Sequence, residues 1–457
     1  MDSVYAIPTN VETHGKLVAL VDNSISSYYI FKGQPRGFEY ELLKWFCRDH
    51  DLRLEVKIMP TFDHAMDSLM AGKGDIVAAN LTITGERSRR LHFTPWLLRT
   101  RQMLVQRKPS GNLNSSSREY QNQIVSEYLE LEGKTVYVHR RSAFYERLQN
   151  LVEESGVNIN IALLDDDVDV EEMIEKVDAG IIGYTVVDEN IANLYRHLYP
   201  NLHFDTPLSL RQSIGWATRA ESDTLQQLLS DWIIEHRNST KFAVIYRKYF
   251  HPTRSKLRDM QSSYNLSRGG SISPYDSYFQ SAAERFQLDW KLLAALSFQE
   301  SKFNAEARSA FGAVGLMQLL PNTAARFGTE ESLLLNPEMN IRAGAGFLKY
   351  LVDFWEERTN DSSEAIKFAL ASYNAGLGHV QDAVRLAAYF ELDTLTWNDN
   401  VESMLRKKTS PKYYKHPVVR HGYCRGYEPV QYVTNVLAYH RQYVMVAQPH
   451  GENVAGP

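Results

Sequence analysis

The first half of the chain sets short apolar runs between polar, turn-forming residues, a pattern that predicts strands and helices in alternation. Val18 to Val21, Leu52 to Met59 and Asp75 to Ala79 read as strands, with amphipathic helices over Phe38 to Phe46 and Phe62 to Met70 between them. The alternation restarts at Thr135 with a strand to His139, a helix opening near Ser142, a strand Ile159 to Leu163, a helix Glu171 to Val177 and the run Ala179 to Val187. Two similar α/β lobes follow from this repeat. Ser110 to Gln123, rich in Ser and Asn, reads as a surface insertion between them. From about Tyr275 long segments of helical period take over and β-branched runs vanish, so an all-α domain is expected there. The polar stretch Ser262 to Ser273 marks the seam, and Gly451 to Pro457 a frayed tail.

The expected organisation is therefore multidomain. An N-terminal segment, 1–15, precedes a bilobed α/β module over 16–250, with lobe one in 16–104 and 206–250 and lobe two in 105–205. A linker over 251–274 leads to a helical domain over 275–448, followed by a tail, 449–457. The length of 457 residues agrees with two or three compact units. With 50 basic against 55 acidic side chains the net charge is −5, which removes the electrostatic basis for binding nucleic acid. Cys47 and Cys424 lie in different modules and read as small apolar residues rather than as a bridge. The 14 histidines form no closely spaced ligand set, so neither metal nor organic cofactor is expected. No apolar run is long enough to span a bilayer, and the segment after Met1 lacks the basic start and apolar core of an export signal.

Three stretches of the front module carry a resemblance: GFEYELLKWF at Gly37 to Phe46, GKGDIVAANLTITGERSRRLHFTPW at Gly72 to Trp96, and a lobe-two strand ending in Val187 and Asp188. Over about Lys16 to Phe250 the sequence resembles the extracellular solute-binding proteins of the amino-acid type, with a ligand cleft between two lobes. The resemblance implies that Arg87 meets a ligand carboxylate and that Asp188 meets its ammonium. A planar guanidinium pairs bidentately with a carboxylate, and a helix opening at Ser142 offers free backbone N–H groups to the same anion. Taken alone, Arg87 reads as one of a charged cluster with Glu86, Arg89 and Arg90 on a solvated helix. Gly85 stands where many relatives have proline.

The most specific stretch is ESKFNAEARSAFGAVGLMQLLPNTA, Glu300 to Ala324. It resembles the lysozyme-like lytic transglycosylases: a glutamate followed by serine, a second serine at Ser309, then Gly312, Ala313, Gly315, Leu316, Met317 and Gln318. YNAG at Tyr373 to Gly376 and the block with Glu428, Tyr432 and Val433 match further on in the same order. Ala305 departs from the usual proline. Front and back together are similar to membrane-bound lytic transglycosylases that carry a solute-binding module ahead of a lysozyme-like domain.

Glu300 also has a reading of its own. Asp289 is a good N-cap for a helix over Trp290 to Ser301, and Leu293, Leu296 and Ser297 share the face of Glu300. A carboxyl on that apolar stripe, beside the unpaired carbonyls of a helix end, favours its neutral form, as a general acid for a glycosidic oxygen requires. A glutamate at a helix end is also an ordinary solvated residue. Gly312 and Gly315 are expected to let the backbone approach a polymer closely.

Glycosidases that use two carboxylates hold them about 5 to 9.5 Å apart, and no second acid accompanies Glu300 in its motif. Glu306 matches nothing in the pattern, and Glu428 reads as a structural or polarising partner. The resemblance implies cleavage of the MurNAc–GlcNAc bond of peptidoglycan without water: Glu300 protonates the leaving oxygen, then takes a proton from the sugar's own C6 hydroxyl. It also implies that Ser309, Gln318, Tyr373 and Asn374 orient the N-acetyl and hydroxyl groups, that Met317 walls the cleft and that Tyr432 donates near the reacting centre. For each of these six a core-packing role competes, for Met317 and Tyr432 most of all. A hydrolytic muramidase of the same fold, or a solute sensor with an inactive helical domain, fits the same residues. The substrate implies a periplasmic protein numbered without its export signal, with peripheral outer-membrane association implied by the resemblance alone. An amino acid, peptide or muropeptide effector is expected in the front cleft.

Overall fold

A computed structural model describes residues 9–109, 117–140, 142–164, 168–262 and 271–446. They separate into two compact units. One runs to Tyr29 and from Pro35 to the seam, and the other joins Ile30–Gln34 to the chain from Ser271 onward. The core of the insertion, 110–116, the seam from 263 to 270 and the tail lie outside the described residues.

The first unit holds the two expected α/β lobes. In lobe one, β1 (Lys16–Val21) lies parallel between β2 (Arg53–Ile58) and β3 (Ile76–Val77), with Lys16 opposite Arg53 and Ala19 opposite Ile76. β1 is buried along nearly its whole length, the burial pattern of a parallel strand covered on both faces. Helices α1 (Phe38–Asp49) and α2 (Phe62–Met70) cross between these strands, and the hydroxyl of Thr61 caps α2. The sheet is completed by β4 (His92–Phe93) and a returning strand, Ala217–Thr218.

Lobe two is a second five-stranded sheet. β5 (Gln102–Arg107) crosses from lobe one and pairs antiparallel with both β8 (Tyr184–Asp188) and β9 (Leu202–Pro207). β6 (Thr135–His139) lies parallel to β7 (Asn160–Leu164) and to β8. The boundary placed at 104/105 thus falls inside β5, and β9 straddles the one at 205/206. Two passages connect the lobes, and Leu98–Thr100 of one pairs antiparallel with Gln212–Ile214 of the other. The crossover helices of lobe two are α3 (Ala143–Ser155) and α4 (Val170–Asp178), with α5 (Glu189–Tyr195) following β8. The run Ala179 to Val187 is strand only from Tyr184, because Gly180 turns the chain at φ 75°. Helices α6 (Asp223–His236) and α7 (Thr240–Phe250) close the unit, and the span set aside as linker begins with one more helix, Arg254–Ser262.

The second unit is helical, as the period predicts. Its principal helices are α8 (Asp276–Phe286), α9 (Trp290–Ser301), α10 (Pro337–Thr359), α11 (Ser362–Ala375), α12 (Leu377–Tyr389), α13 (Glu402–Lys407) and α14 (Tyr427–Val446). Proline at its first position and Asn336 as N-cap start α10. α9 is buried almost all round, from Leu292 through Phe298, so it forms the axis of the unit rather than a surface helix. Asp382 on α12 ties the loop ahead of α14 to the rest. Its carboxylate pairs with the fully buried ammonium of Lys408 at 2.8 Å and with Arg385, and accepts the backbone N–H groups of Arg420 and His421 at 2.8 Å each. Those donors outweigh the opposing effect of burial and hold its pKa down at about 2. Among the described residues no helix is long and apolar enough to cross a membrane.

Candidate active site and ligand cleft

α9 begins and ends where its sequence signals place it. The Asp289 carboxylate accepts from the Lys291 N–H at 2.8 Å, and Lys302 leaves the helix in the left-handed region at φ 56°. Glu300 therefore sits on the last turn of a helix sunk in the core. Burial pushes its carboxyl up to about 7, against the opposing pull of the Tyr432 hydroxyl and the Lys302 ammonium. Tyr432, on α14, donates to Oε1 of Glu300 at 2.5 Å. Tyr373, at the end of α11, has its hydroxyl pKa raised by burial and then by the charge of Glu300. Three distant segments thus bring one carboxyl and two phenols together. The phenols stay neutral donors, and the carboxyl can hold or release a proton near pH 7.

The loop after α9 is fastened to it. The hydroxyls of Ser297 and Ser301, one helical turn apart, both donate to the Leu316 carbonyl, at 3.1 and 2.8 Å. Buried Asn340 of α10 donates to the carbonyls of Val314 and Leu334 and accepts the Met317 N–H at 2.8 Å. Gly315 is required here, since a Cβ would lie 2.3 Å from the Asn340 amide. The close approach at Gly315 is thus to the protein's own chain, not to a polymer as expected. Gly312 meets nothing, and serves the turn through its φ of 84°. Met317 needs a second correction: its side chain is fully buried against Gly344, so it cannot wall a cleft. Its carbonyl instead accepts the Tyr373 hydroxyl at 2.8 Å and so locates that ring.

Ser309 Oγ accepts the N–H groups of Phe311 and Ala313 at 3.3 and 3.0 Å, which leaves its O–H as the group free to act outward, as a donor. Gln318 spends its amide N–H groups on the carbonyls of Ala307 and Gly315, and its oxygen remains an acceptor. Asn374 is exposed at the end of α11. Glu428 lies on the solvated first turn of α14 and pairs with Arg425 at 3.5 Å, so its nearest charged partner is a surface arginine. Sequence reasoning gave Ser297 no bond and left Asn340 and Ser301 without a role. Two serines four residues apart in an otherwise apolar helix were the signal available for the pair; Asn340 had none.

In the first unit Arg87, Asp188 and Ser142 line one cavity of about 330 Å³ between the two lobes. Arg87 is held by its bond to the Thr82 carbonyl at 3.0 Å and by the Phe62 ring, 4.3 Å from the guanidinium carbon. Ser142 caps α3 by accepting the Tyr145 N–H at 3.1 Å, so the first turn of the helix opens toward the cavity. Asp188 is buried, and desolvation raises it to about 7. One of its oxygens accepts from Asn80 at 3.0 Å, while the other is buried without a partner. Asn80, which the sequence did not single out, also accepts from Asn190 and donates its N–H to Glu39, so it bridges the lobes. Among the described residues no group of His, Cys, Asp or Glu has the makings of a metal site.

Two family models match this chain, one for each module. Residues 277–394 match the Transglycosylase SLT domain, and residues 17–252 match the bacterial extracellular solute-binding proteins, family 3. The module fold is similar to that of holo ArgBP from T. maritima, at 21% identity and a TM-score of 0.42 over 52% of this chain and 98% of that one. The two family matches define the class as a lytic transglycosylase with a solute-binding module in front. The membrane-bound lytic murein transglycosylase F of Desulfosudis oleivorans is 31% identical over 94% of this chain and 90% of its own length. That of Aliivibrio fischeri is 32% identical over 93% and 82%. The chain belongs to the membrane-bound lytic murein transglycosylase F family, enzymes that act on peptidoglycan as lyases.

Proposed function

We propose that this enzyme breaks the β-1,4 bond between MurNAc and GlcNAc with Glu300 as its single acid and base, leaving 1,6-anhydroMurNAc ends. The observation that carries this reading is the company Glu300 keeps: a desolvated carboxyl near pKa 7, facing two phenols and a lysine, with no second carboxylate acting on it among the described residues. The Glu300 O–H gives its proton to the glycosidic oxygen as the C1–O bond breaks. The substrate's N-acetyl oxygen closes on C1 and takes up the charge. The Glu300 carboxylate then accepts the proton of the C6 hydroxyl while O6 attacks C1 and the acetyl ring reopens. Every bond balances and no water enters. Ser309, restricted to donation, suits the N-acetyl carbonyl, Gln318 Oε1 and Asn374 suit sugar hydroxyls, and Tyr432 steadies the carboxyl. Product mass tests the reading. An end lighter by one water than a reducing end supports it, and a reducing MurNAc end would replace it with hydrolysis.

The front cleft is the site of an amino acid, peptide or muropeptide effector in the same proposal, with Arg87 and the α3 N-terminus toward its carboxylate and Asp188 toward its ammonium. Bilobed modules close on their ligands, and such closure regulates cleavage here by a shift of population. The polymer substrate supports a periplasmic location, and the names of the membrane-bound relatives support attachment to a membrane, which this proposal takes to be peripheral and at the outer membrane.

A further inference from the structure

We propose that Phe311 is a sugar-binding residue of this enzyme, presenting its ring to the apolar face of a pyranose in the murein strand. Its side chain is 92% exposed, the most exposed large apolar side chain among the described residues, and it stacks on no other aromatic ring there. Leaving a phenylalanine in water forgoes the free energy of burying it, although a single exposed apolar residue is in itself ordinary. Rigidity and position set this one apart. The turn that carries it is closed by the Ser309 N–H to the Ala313 carbonyl at 2.9 Å, by the Gly312 N–H to the Ser309 carbonyl at 3.1 Å, and by the N–H groups of Phe311 and Ala313, which Ser309 Oγ accepts. The base of the turn is bound in turn to α9, through Leu316 and the hydroxyls of Ser297 and Ser301.

The ring therefore stands on a fixed stalk built from the helix of Glu300. Two residues of chain reach no further than roughly 7 Å, so the Phe311 backbone stands within that distance of Ser309, whose O–H the proposed function turns toward substrate. A hexose ring offers an apolar C–H face of about the size of a phenyl ring, and a rigid exposed ring loses little conformational entropy on meeting it. The inference rests on the reading of Ser309 as substrate-facing. It does not depend on whether the product is anhydro or hydrolysed.

The test uses the full chain and purified, solubilised glycan strands of peptidoglycan, with Phe311→Ala, Phe311→Leu and Phe311→Trp compared with wild type. Leu210→Ala, which removes a residue 89% exposed in the other unit, controls for the loss of surface apolar area. Phe311→Ala is expected to raise KM roughly tenfold at little change in kcat, from the burial forgone. Phe311→Trp should restore KM and Phe311→Leu should not, with melting temperatures and product masses unaltered throughout. An unchanged KM in the Ala variant, a loss confined to kcat, or a Leu variant equal to wild type would each overturn the proposal. A reducing-end product from wild type would overturn the anhydro reading alone and leave the KM comparison standing.

Discussion

The Tyr432 hydroxyl lies 2.5 Å from Oε1 of Glu300, and the two residues are joined by no local segment: one ends α9, the other stands on the second turn of α14. A phenol donating to a carboxylate stabilises the ionised form, whereas burial favours the acid, and burial is the larger of the two. The carboxyl therefore keeps a proton up to about pH 7 while Tyr432 limits how much further it is held.

Glu300→Gln should abolish cleavage of purified murein, by at least roughly 10²-fold, because the amide fills the same space and cannot act as an acid. The same substitution carries a stability signature. The folded carboxyl titrates near 7 against about 4.5 unfolded, so between those values the folded state binds more protons and stability falls as pH rises. The Gln variant escapes that loss and should melt above wild type at pH 8, by an equivalent of at most about 3 kcal/mol, and little differently at pH 4. Equal melting at both pH values would show Glu300 to be unperturbed.

Tyr432→Phe removes the group that favours the ionised carboxylate, so the Glu300 pKa should rise and the alkaline limb of the rate profile should move to higher pH. Peak activity should fall, since the carboxylate loses its orienting donor as it turns from acid to base. Rate against pH for both proteins decides the matter; a limb that stays in place would mean that Tyr432 does not act on Glu300.

Much of this was legible beforehand. The span of α9, its Asp289 cap and the identity of Glu300 follow from local signals: a capping carboxylate, an apolar helix and a specific motif. The two lobes were equally legible, because each buried strand writes itself as an apolar run. What the sequence could not reveal depends on contacts between distant segments. Met317 reads as a cleft residue until α10 is seen to bring Gly344 beneath it. Asn340 is one polar residue in a long helix, and only the fold shows the carbonyls it serves. Asn80, at φ 51°, is likewise unremarkable until the second lobe supplies Asp188 and Asn190.

Lys408→Met should destabilise the helical unit severely. Breaking a buried ion pair from one side leaves the other charge without its partner and costs about 3–5 kcal/mol. Asp382 keeps Arg385 and two backbone donors, so the lower end of that range is expected. The carboxylate is held near pKa 2, below its unfolded value of about 3.8. Its contribution is therefore complete above pH 4 and lost as pH falls toward 2. The gap between wild type and variant in denaturant melts should narrow from pH 7 to pH 3 as part of that contribution is lost; a constant gap would place the stabilisation elsewhere.

The cleft yields a prediction of opposite pH dependence to that of the acid. Asp188 is held at about 7 by burial, with one oxygen on Asn80 and one without a partner, and an ammonium is the group that would complete it. Only the ionised carboxylate attracts that cation strongly. Affinity for a free amino acid or wall-derived peptide should thus weaken as pH falls from 8 to 6, whereas an ordinary carboxylate would show no change over that range. Asp188→Asn should remove the pH dependence together with most of the affinity. Arg87→Ala should weaken binding at every pH, because the guanidinium stays charged throughout. Calorimetric titration of the full chain with a panel of amino acids and wall peptides at pH 6, 7 and 8 separates these cases. If the same ligand changes the cleavage rate of wild type by the 5- to 150-fold typical of coupled sites, and leaves the Arg87→Ala protein at its basal rate, the front module regulates the enzyme. Binding with no change in rate would reduce that module to a tether for the wall.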